Sequence, residues 1–174
     1  MVPVSIAEKK FKIAIPFFIL SFLLVQVDNI IYYNQPGNSS LVQYPTGTQV
    51  VHTDAGPKFK WYGQVIQFKK VITVKFNKSK NTDASGTASP VPIRFNDAVT
   101  ADVDLALRFR LPNDDENFKK LALDFRSQEN LVASALIPTA REVTRNSGRM
   151  LSAQEYISGK GGEFESAVND QLEQ

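Results

Sequence analysis

Residues 11–33 read FKIAIPFFILSFLLVQVDNIIYY, and this stretch limits what the chain can fold into more than any other. No charged residue lies between Ile13 and Val27. Lys9, Lys10 and Lys12 stand just before it, and no basic residue comes after it until Lys58. At ~1.5 Å per residue the uncharged part makes a helix of roughly 22 Å, short of the ~30 Å hydrocarbon core of a bilayer. Phe11 and a snorkelling Lys12 extend it at one end. Ile30, Ile31, Tyr32 and Tyr33 extend it at the other, with the tyrosines at headgroup depth. Asp28 is tolerable only near an interface, and Pro16 falls near the first turn, where proline is accommodated. The expected element is therefore a retained signal anchor, with Ile13, Ile15, Phe17, Phe18, Ile19, Leu20, Phe22, Leu23, Leu24 and Val25 in the membrane. Two alternatives stand beside it. One is a cleaved secretory peptide, although no small-x-small site comes after Val25. The other is a buried core helix, since the apolar residues run all round with no polar face. The lysine asymmetry places the N-terminus in the cytoplasm, so the residues after Tyr33 lie on the periplasmic or extracytoplasmic side, or in an organelle's intermembrane space.

Of the 174 residues, those after Tyr33 suffice for one domain with a modest core. The formal net charge of +2 gives no strong field for nucleic acid. With no cysteine there is neither a disulfide nor a thiolate metal site. The one histidine, His52, makes a multi-histidine metal centre and most histidine-dependent catalytic arrangements hard to build. No catalytic, cofactor or metal constellation is expected, and His52 reads as a structural strand residue.

Residues 34–40 (NQPGNSS) read as a turn-rich linker. Residues 48–53 read as a strand and residues 54–57 as a turn. Residues 58–62 (KFKWY) alternate Lys58 and Lys60 against Phe59 and Trp61, a period of two with one basic and one aromatic face. Aromatics interleaved with lysines suit a membrane interface or single-stranded nucleic acid, and the exported side argues against nucleic acid; beside a plain core strand, Phe59, Trp61 and Tyr62 are therefore candidate membrane-surface contacts. Residues 64–76 continue as strand. Residues 77–90 carry no large apolar side chain and read as a loop or hairpin tip. A short strand at 92–95 and a turn at Asn96 and Asp97 come next.

Residues 98–111 form the clearest strand pattern. Val99, Ala101, Val103, Leu105, Leu107, Phe109 and Leu111 are apolar and odd-numbered, while Asp102, Asp104, Arg108 and Arg110 share the even face. This strand is expected at the centre of the sheet, with its even charges in cross-strand or cross-subunit ion pairs. Helices come after it: one capped by Asn113 with Glu116 and carrying Phe118, Leu121, Ala122 and Phe125, and one capped by Ser127 and kinked or interrupted at Pro138. A capping box at Ser152 and Glu155 opens a short turn, and Gly159 to Gly162 break it. A last helix from Glu163 carries Phe164, Val168 and Leu172 at four-residue steps.

The order of these parts resembles the SPFH (band 7, prohibitin-homology) family. Residues 47–51 fit its opening strand. Residues 56–61 (GPKFKW) resemble its Gly-Pro-Gly-x-His-Phe-Lys stretch, without the second glycine and the histidine. Residues 95–104 (FNDAVTADVD) resemble its Thr-x-Asp-Gly-Val-x-Val-x-Val-Asp turn and strand, with Ala98 where glycine is usual. The residues through Arg141 and 152–155 also fit. The resemblance implies an α+β fold: an N-terminal transmembrane helix (residues 1–33), a linker (34–47), an SPFH-type antiparallel sheet with packed helices (48–158), and the start of a C-terminal helix or coiled coil (159–174). It further implies a non-enzymatic scaffold that self-associates into ring-like assemblies, without cofactors. Its implied partners are the lipid bilayer, copies of itself or related SPFH subunits, and a membrane-bound AAA protease, with no nucleic acid. The expected oligomer contacts are Asp102, Asp104, Arg108, Arg110, Phe164, Val168 and Leu172. The alternative function is a secreted or surface α+β binding domain released by signal cleavage.

Overall fold

A computed structural model of the protein describes Ser21, residues 26–78 and residues 84–172. The chain divides into two compact units, residues 1–66 and residues 67–174.

The first unit opens with residues 26–30 in helical conformation. They pass directly into β1 (Ile31–Asn34), which pairs antiparallel with β4 (Gly56–Phe59), Ile31 opposite Phe59 and Tyr33 opposite Pro57. β2 (Asn38–Gln43) pairs with β3 (Gln49–His52), and the sheet order is β3-β2-β5, with β5 at Gln64–Lys69 crossing the division between units. The stretch expected as a linker thus holds the end of β1, a turn and the start of β2, which joins a different sheet. Gln35 to Asn38 make a turn, closed by a 3.1 Å bond from the Asn38 N–H to the Gln35 carbonyl. Ser39, Ser40, Leu41 and Val42 are buried. Asn34 is fully buried, and its amide nitrogen donates to the carbonyls of Asp54 at 2.8 Å and His52 at 3.3 Å, joining the end of β1 to the end of β3. A buried amide stays only where its donors are used.

The second unit builds its main sheet from β6 (Val71–Phe76), β7 (Gly86–Ala88) and β10 (Leu105–Arg110), in the order β10-β6-β7. β6 and β10 are antiparallel, whereas β7 runs parallel to β6. β8 (Val91–Arg94) pairs antiparallel with β9 (Thr100–Val103). Directly opposed residues share a face. Ile72 with Phe109, Val74 with Leu107 and Phe76 with Leu105 therefore make one apolar face of the main sheet, and Val91 with Val103 and Ile93 with Ala101 make that of the smaller one. The alternation expected over residues 98–111 is present, but the strand is broken at Asp104 into β9 and β10, which join different sheets. Among the described residues β10 is an edge strand and not the sheet centre, because only β6 pairs with it.

Helical segments complete the unit: α1 (Asp115–Phe125), α2 (Gln128–Leu131) running through a π turn (Val132–Leu136) into α3 (Ile137–Gly148), α4 (Ala153–Glu155), and α5 (Gly161–Leu172). Asp114, one residue later than expected, caps α1 by accepting from the Asn117 N–H at 3.2 Å. Phe118 on α1 meets Phe68 edge-on at 5.9 Å, an aromatic pair in the core. Pro138 does not end its helix. The turn before it widens, with the Ile137 N–H reaching the Val132 carbonyl five residues back, and this absorbs the missing proline donor. α3 presents Ala140, Thr144, Ser147 and Gly148 as a buried small-residue stripe. A Cβ on Gly148 would lie 3.1 Å from the Ile93 Cβ, so the helix lies close on β8. The Ser152–Glu155 capping box is present, and Gly159 breaks the helical path at φ 110°.

The fold of the described residues is α+β, with mainly antiparallel strand pairing and helices, and the expected transmembrane helix is not among them. Among the described residues no helix is long and apolar enough to cross a membrane. The residues assigned to that helix (Ile13, Ile15, Phe17, Phe18, Ile19, Leu20, Phe22, Leu23, Leu24 and Val25) lie outside the described residues. Its expected extension over residues 31–33 is strand β1. β-branched and aromatic side chains in succession favour the pleated conformation, and pairing with β4 settles it.

Candidate functional site

The most unusual local geometry in the first unit is the turn after β4. β4 ends at Phe59, and residues 60–63 reverse the chain, the Gly63 N–H donating to the Lys60 carbonyl at 2.6 Å. Both central residues are left-handed, Trp61 at φ 42° and Tyr62 at φ 61°. That is the φ pattern of a type I′ turn, which asparagine and glycine normally fill. Bulky side chains in this region carry roughly 1–2 kcal/mol of strain each. The surrounding chain holds them there. The Lys60 and Trp61 N–H groups both donate to the Ile30 carbonyl, at 2.7 and 3.2 Å, and the Tyr62 N–H donates to the Asn29 carbonyl at 2.8 Å. The Tyr62 hydroxyl donates to Gln26 Oε1 at 2.9 Å, and the Tyr44 hydroxyl to the Phe59 carbonyl at 3.1 Å. The closure leaves no room at Gly63, where a Cβ would sit 2.6 Å from the Gln43 carbonyl oxygen.

The result reverses the usual use of an alternating strand. Phe59, Trp61 and Tyr62 are 59, 58 and 57% exposed, while Lys58 and Lys60 are only half-exposed. The core-strand reading of the aromatics is therefore wrong: these side chains face solvent. Tyr33, on β1 opposite Pro57, adds a fourth exposed aromatic at 61%, and Val27 and Ile31 are also exposed. The alternation of Tyr33 and Ile31 in residues 30–33 carried that signal, but the helical reading of the segment concealed it. The whole patch is tied through its backbone to residues 29 and 30, a few positions after the apolar run.

His52 lies on β3 with its ring 6.4 Å from that of Tyr32. Its Nε2 is buried without a hydrogen-bond partner. Burial, then the nearby Lys58 charge, pulls its pKa below the ordinary value, and this fits a neutral structural ring. The Tyr32 hydroxyl, 2.7 Å from Ser40 Oγ, has its pKa pushed up chiefly by burial. Among the described residues no three histidine, aspartate or glutamate side chains group to hold a metal ion.

The expected oligomer contacts fall into two sets. Asp102, Asp104, Arg108 and Arg110 are exposed. Arg108 stands opposite Thr73, Arg110 opposite Val71 and Asp102 opposite Pro92, so no cross-strand ion pair forms among them. Among the described residues the only ion pairs are those of Lys160 with Glu155 and Glu163. Phe164 and Val168 are instead buried within their own unit. Phe164 meets Tyr156 edge-on at 5.8 Å. Phe164 and Val168 line a cavity of about 430 Å³ beside Leu105 and Leu107 of β10. They are spent on intramolecular packing, which leaves half-buried Leu172 as the outermost apolar position of that helix face. No protein-family model and no curated protein matches the chain.

Proposed function

We propose that this chain is a non-enzymatic scaffold of the SPFH type that works at a membrane surface and associates with copies of itself. The observation that carries the membrane part is the outward aromatic face of Phe59, Trp61 and Tyr62, the last two held in strained left-handed backbone by bonds to residues 29 and 30. Strain of this kind persists where surrounding structure over-determines it, and it concentrates at functional positions. Tryptophan and tyrosine suit the headgroup layer, where an apolar ring and a polar tip are both satisfied. Lys58 and Lys60 lie on the opposite, less exposed face of the alternation, so the aromatic side chains carry the reading.

Self-association is supported by β10, an edge strand that carries exposed Arg108 and Arg110 and continues from exposed Asp102 and Asp104. An edge strand is a template for another chain, and exposed charges of both signs complement a second copy. The organised partner, whether lipid, membrane protein or a membrane-bound AAA protease, is what the family resemblance adds. Chemical cross-linking of the protein on lipid vesicles tests the scaffold reading. A ladder extending well beyond dimer is expected, weakened by exchanging Arg108 and Arg110 for glutamate. Monomer alone at every cross-linker dose would overturn it.

A further inference from the structure

Arg141 and Arg145 on the polar face of α3 and Arg149, which caps its C-terminus, come at four-residue steps, so their Cα atoms follow one side of the helix about 6 Å apart along its axis. With Pro138, Glu142 and Asn146 they line a groove of about 440 Å³. Like charges at this spacing repel one another unless an anion sits between them. Among the described residues none of the three arginines is ion-paired, and Glu142, the one carboxylate lining the groove, pairs with none of them.

Arg141 is the fixed member of the set. It is half-buried, and its Nη2 donates to Ser89 Oγ at 3.0 Å. Its Nε is buried without a partner. A guanidinium anchored on one side by a serine is oriented before any ligand arrives. The helix dipole accounts for a cation in the last turn, such as Arg145, but not for Arg141 two turns from the helix end.

We propose that the Arg141–Arg145–Arg149 face of α3 is a binding site for a phosphate-bearing polyanion. Planar five-donor forks at this spacing match the oxygens of adjacent phosphates, with Asn146 as a neutral donor between them. The same chemistry is offered by a free polyphosphate and by a phosphomonoester lipid headgroup. The site shares no residue with the aromatic turn and does not depend on it.

Tripolyphosphate is the probe for the free anion, titrated calorimetrically into the full chain at low salt. Vesicles of phosphatidylcholine with and without phosphatidic acid are the probe for the headgroup. Saturable tripolyphosphate binding is expected, weakened tenfold or more in the R145A/R149A double variant, two exposed positions whose loss leaves the core intact. A K119A/K120A variant on α1 removes the same charge and is expected to bind like the wild type. If tripolyphosphate displaces the protein from phosphatidic acid vesicles, the groove takes the headgroup. If phosphatidic acid adds nothing over phosphatidylcholine while tripolyphosphate still binds, the ligand is a soluble phosphate. Absence of saturable tripolyphosphate binding, or equal losses in the arginine and lysine variants, would overturn the proposal. Neither result would bear on the aromatic turn, whose test uses Trp61.

Discussion

The N–H of Trp61 donates to the carbonyl of Ile30, 3.2 Å away, and ties the exposed aromatic turn to the segment just after the apolar run. The same carbonyl receives the Lys60 N–H, and the turn closes through Gly63. At Gly63 the two atoms nearest a new Cβ are the backbone oxygens of Gln43 and Lys60, at 2.6 and 2.7 Å, and neither can step aside by changing rotamer. Gly63→Ala should therefore destabilise the protein by about 1–3 kcal/mol, the usual range for overpacking. Urea denaturation of the variant measures this as a lower midpoint at unchanged slope.

A second close approach is side chain against backbone, and so can be relieved. A Cβ on Gly86 of β7 would lie 2.5 Å from Val132 Cγ1 in the π turn, and Val132 is buried. Gly86→Ala alone should cost about 1–3 kcal/mol. Val132→Ala alone should cost a similar amount through the cavity it leaves. The double variant should be less destabilised than the sum of the two, with a coupling of at least about 0.5 kcal/mol. Strict additivity would mean that β7 and the π turn are not in contact.

Ala98 sits at φ 66° in the turn between β8 and β9, where its N–H donates to the Phe95 carbonyl at 3.1 Å. This is the position at which the resembled family has glycine, and the backbone explains that preference. Ala98→Gly should stabilise the protein by about 1 kcal/mol, because the left-handed penalty of a Cβ exceeds the entropy that glycine adds to the unfolded chain. A lower melting temperature for this variant would contradict the geometry of the turn.

Stability should also respond to pH through His52. Its pKa in the folded protein lies below the ordinary 6.5, chiefly because burial disfavours the imidazolium. The unfolded chain therefore binds the proton first. The contribution is complete above about pH 6.5 and is lost as pH falls toward and through the lowered value. His52→Gln should flatten the stability profile across that window and leave the profile above pH 7 parallel to the wild type. Thermal melts in a series of buffers from pH 7.5 down to 5 measure both.

The periodicities were legible in the sequence, and the pairings were not. Within β9 and within β10 the odd positions do share a face, because side-chain direction in a strand is local, but the two faces belong to different sheets. The break at Asp104 and the edge position of β10 depend on β6 and β8, which are distant in sequence, and nothing in residues 98–111 encodes them. The alternation of Lys58, Phe59, Lys60 and Trp61 was visible too, but alternation does not say which face meets the core. Here the aromatic face is the exposed one, and the strand stops at Phe59 because the next residues turn left-handed without asparagine or glycine to announce it. β2 was hidden by its polar start: Ser39 and Ser40 are buried, and Ser40 Oγ has both Tyr32 and the His52 carbonyl within bonding distance. Its buried half, Leu41 and Val42, is too short to signal a strand alone. At Pro138 the sequence pointed to an interruption, and the π turn is the form that it takes. The four-residue spacing of Arg141, Arg145 and Arg149 lay open in the sequence, but only the burial of Arg141 and the groove around it distinguish the series from an ordinary solvated face.

The central claim is that the Trp61 turn rests on lipid, and the chain's single tryptophan makes it directly measurable. Trp61 emission is recorded with and without phosphatidylcholine–phosphatidic acid vesicles carrying quenchers at graded depths. A blue shift on vesicle addition, with headgroup-region quenchers more effective than those at the bilayer centre, is the predicted result. Unchanged emission and equal accessibility to aqueous iodide in the presence and absence of vesicles would contradict it.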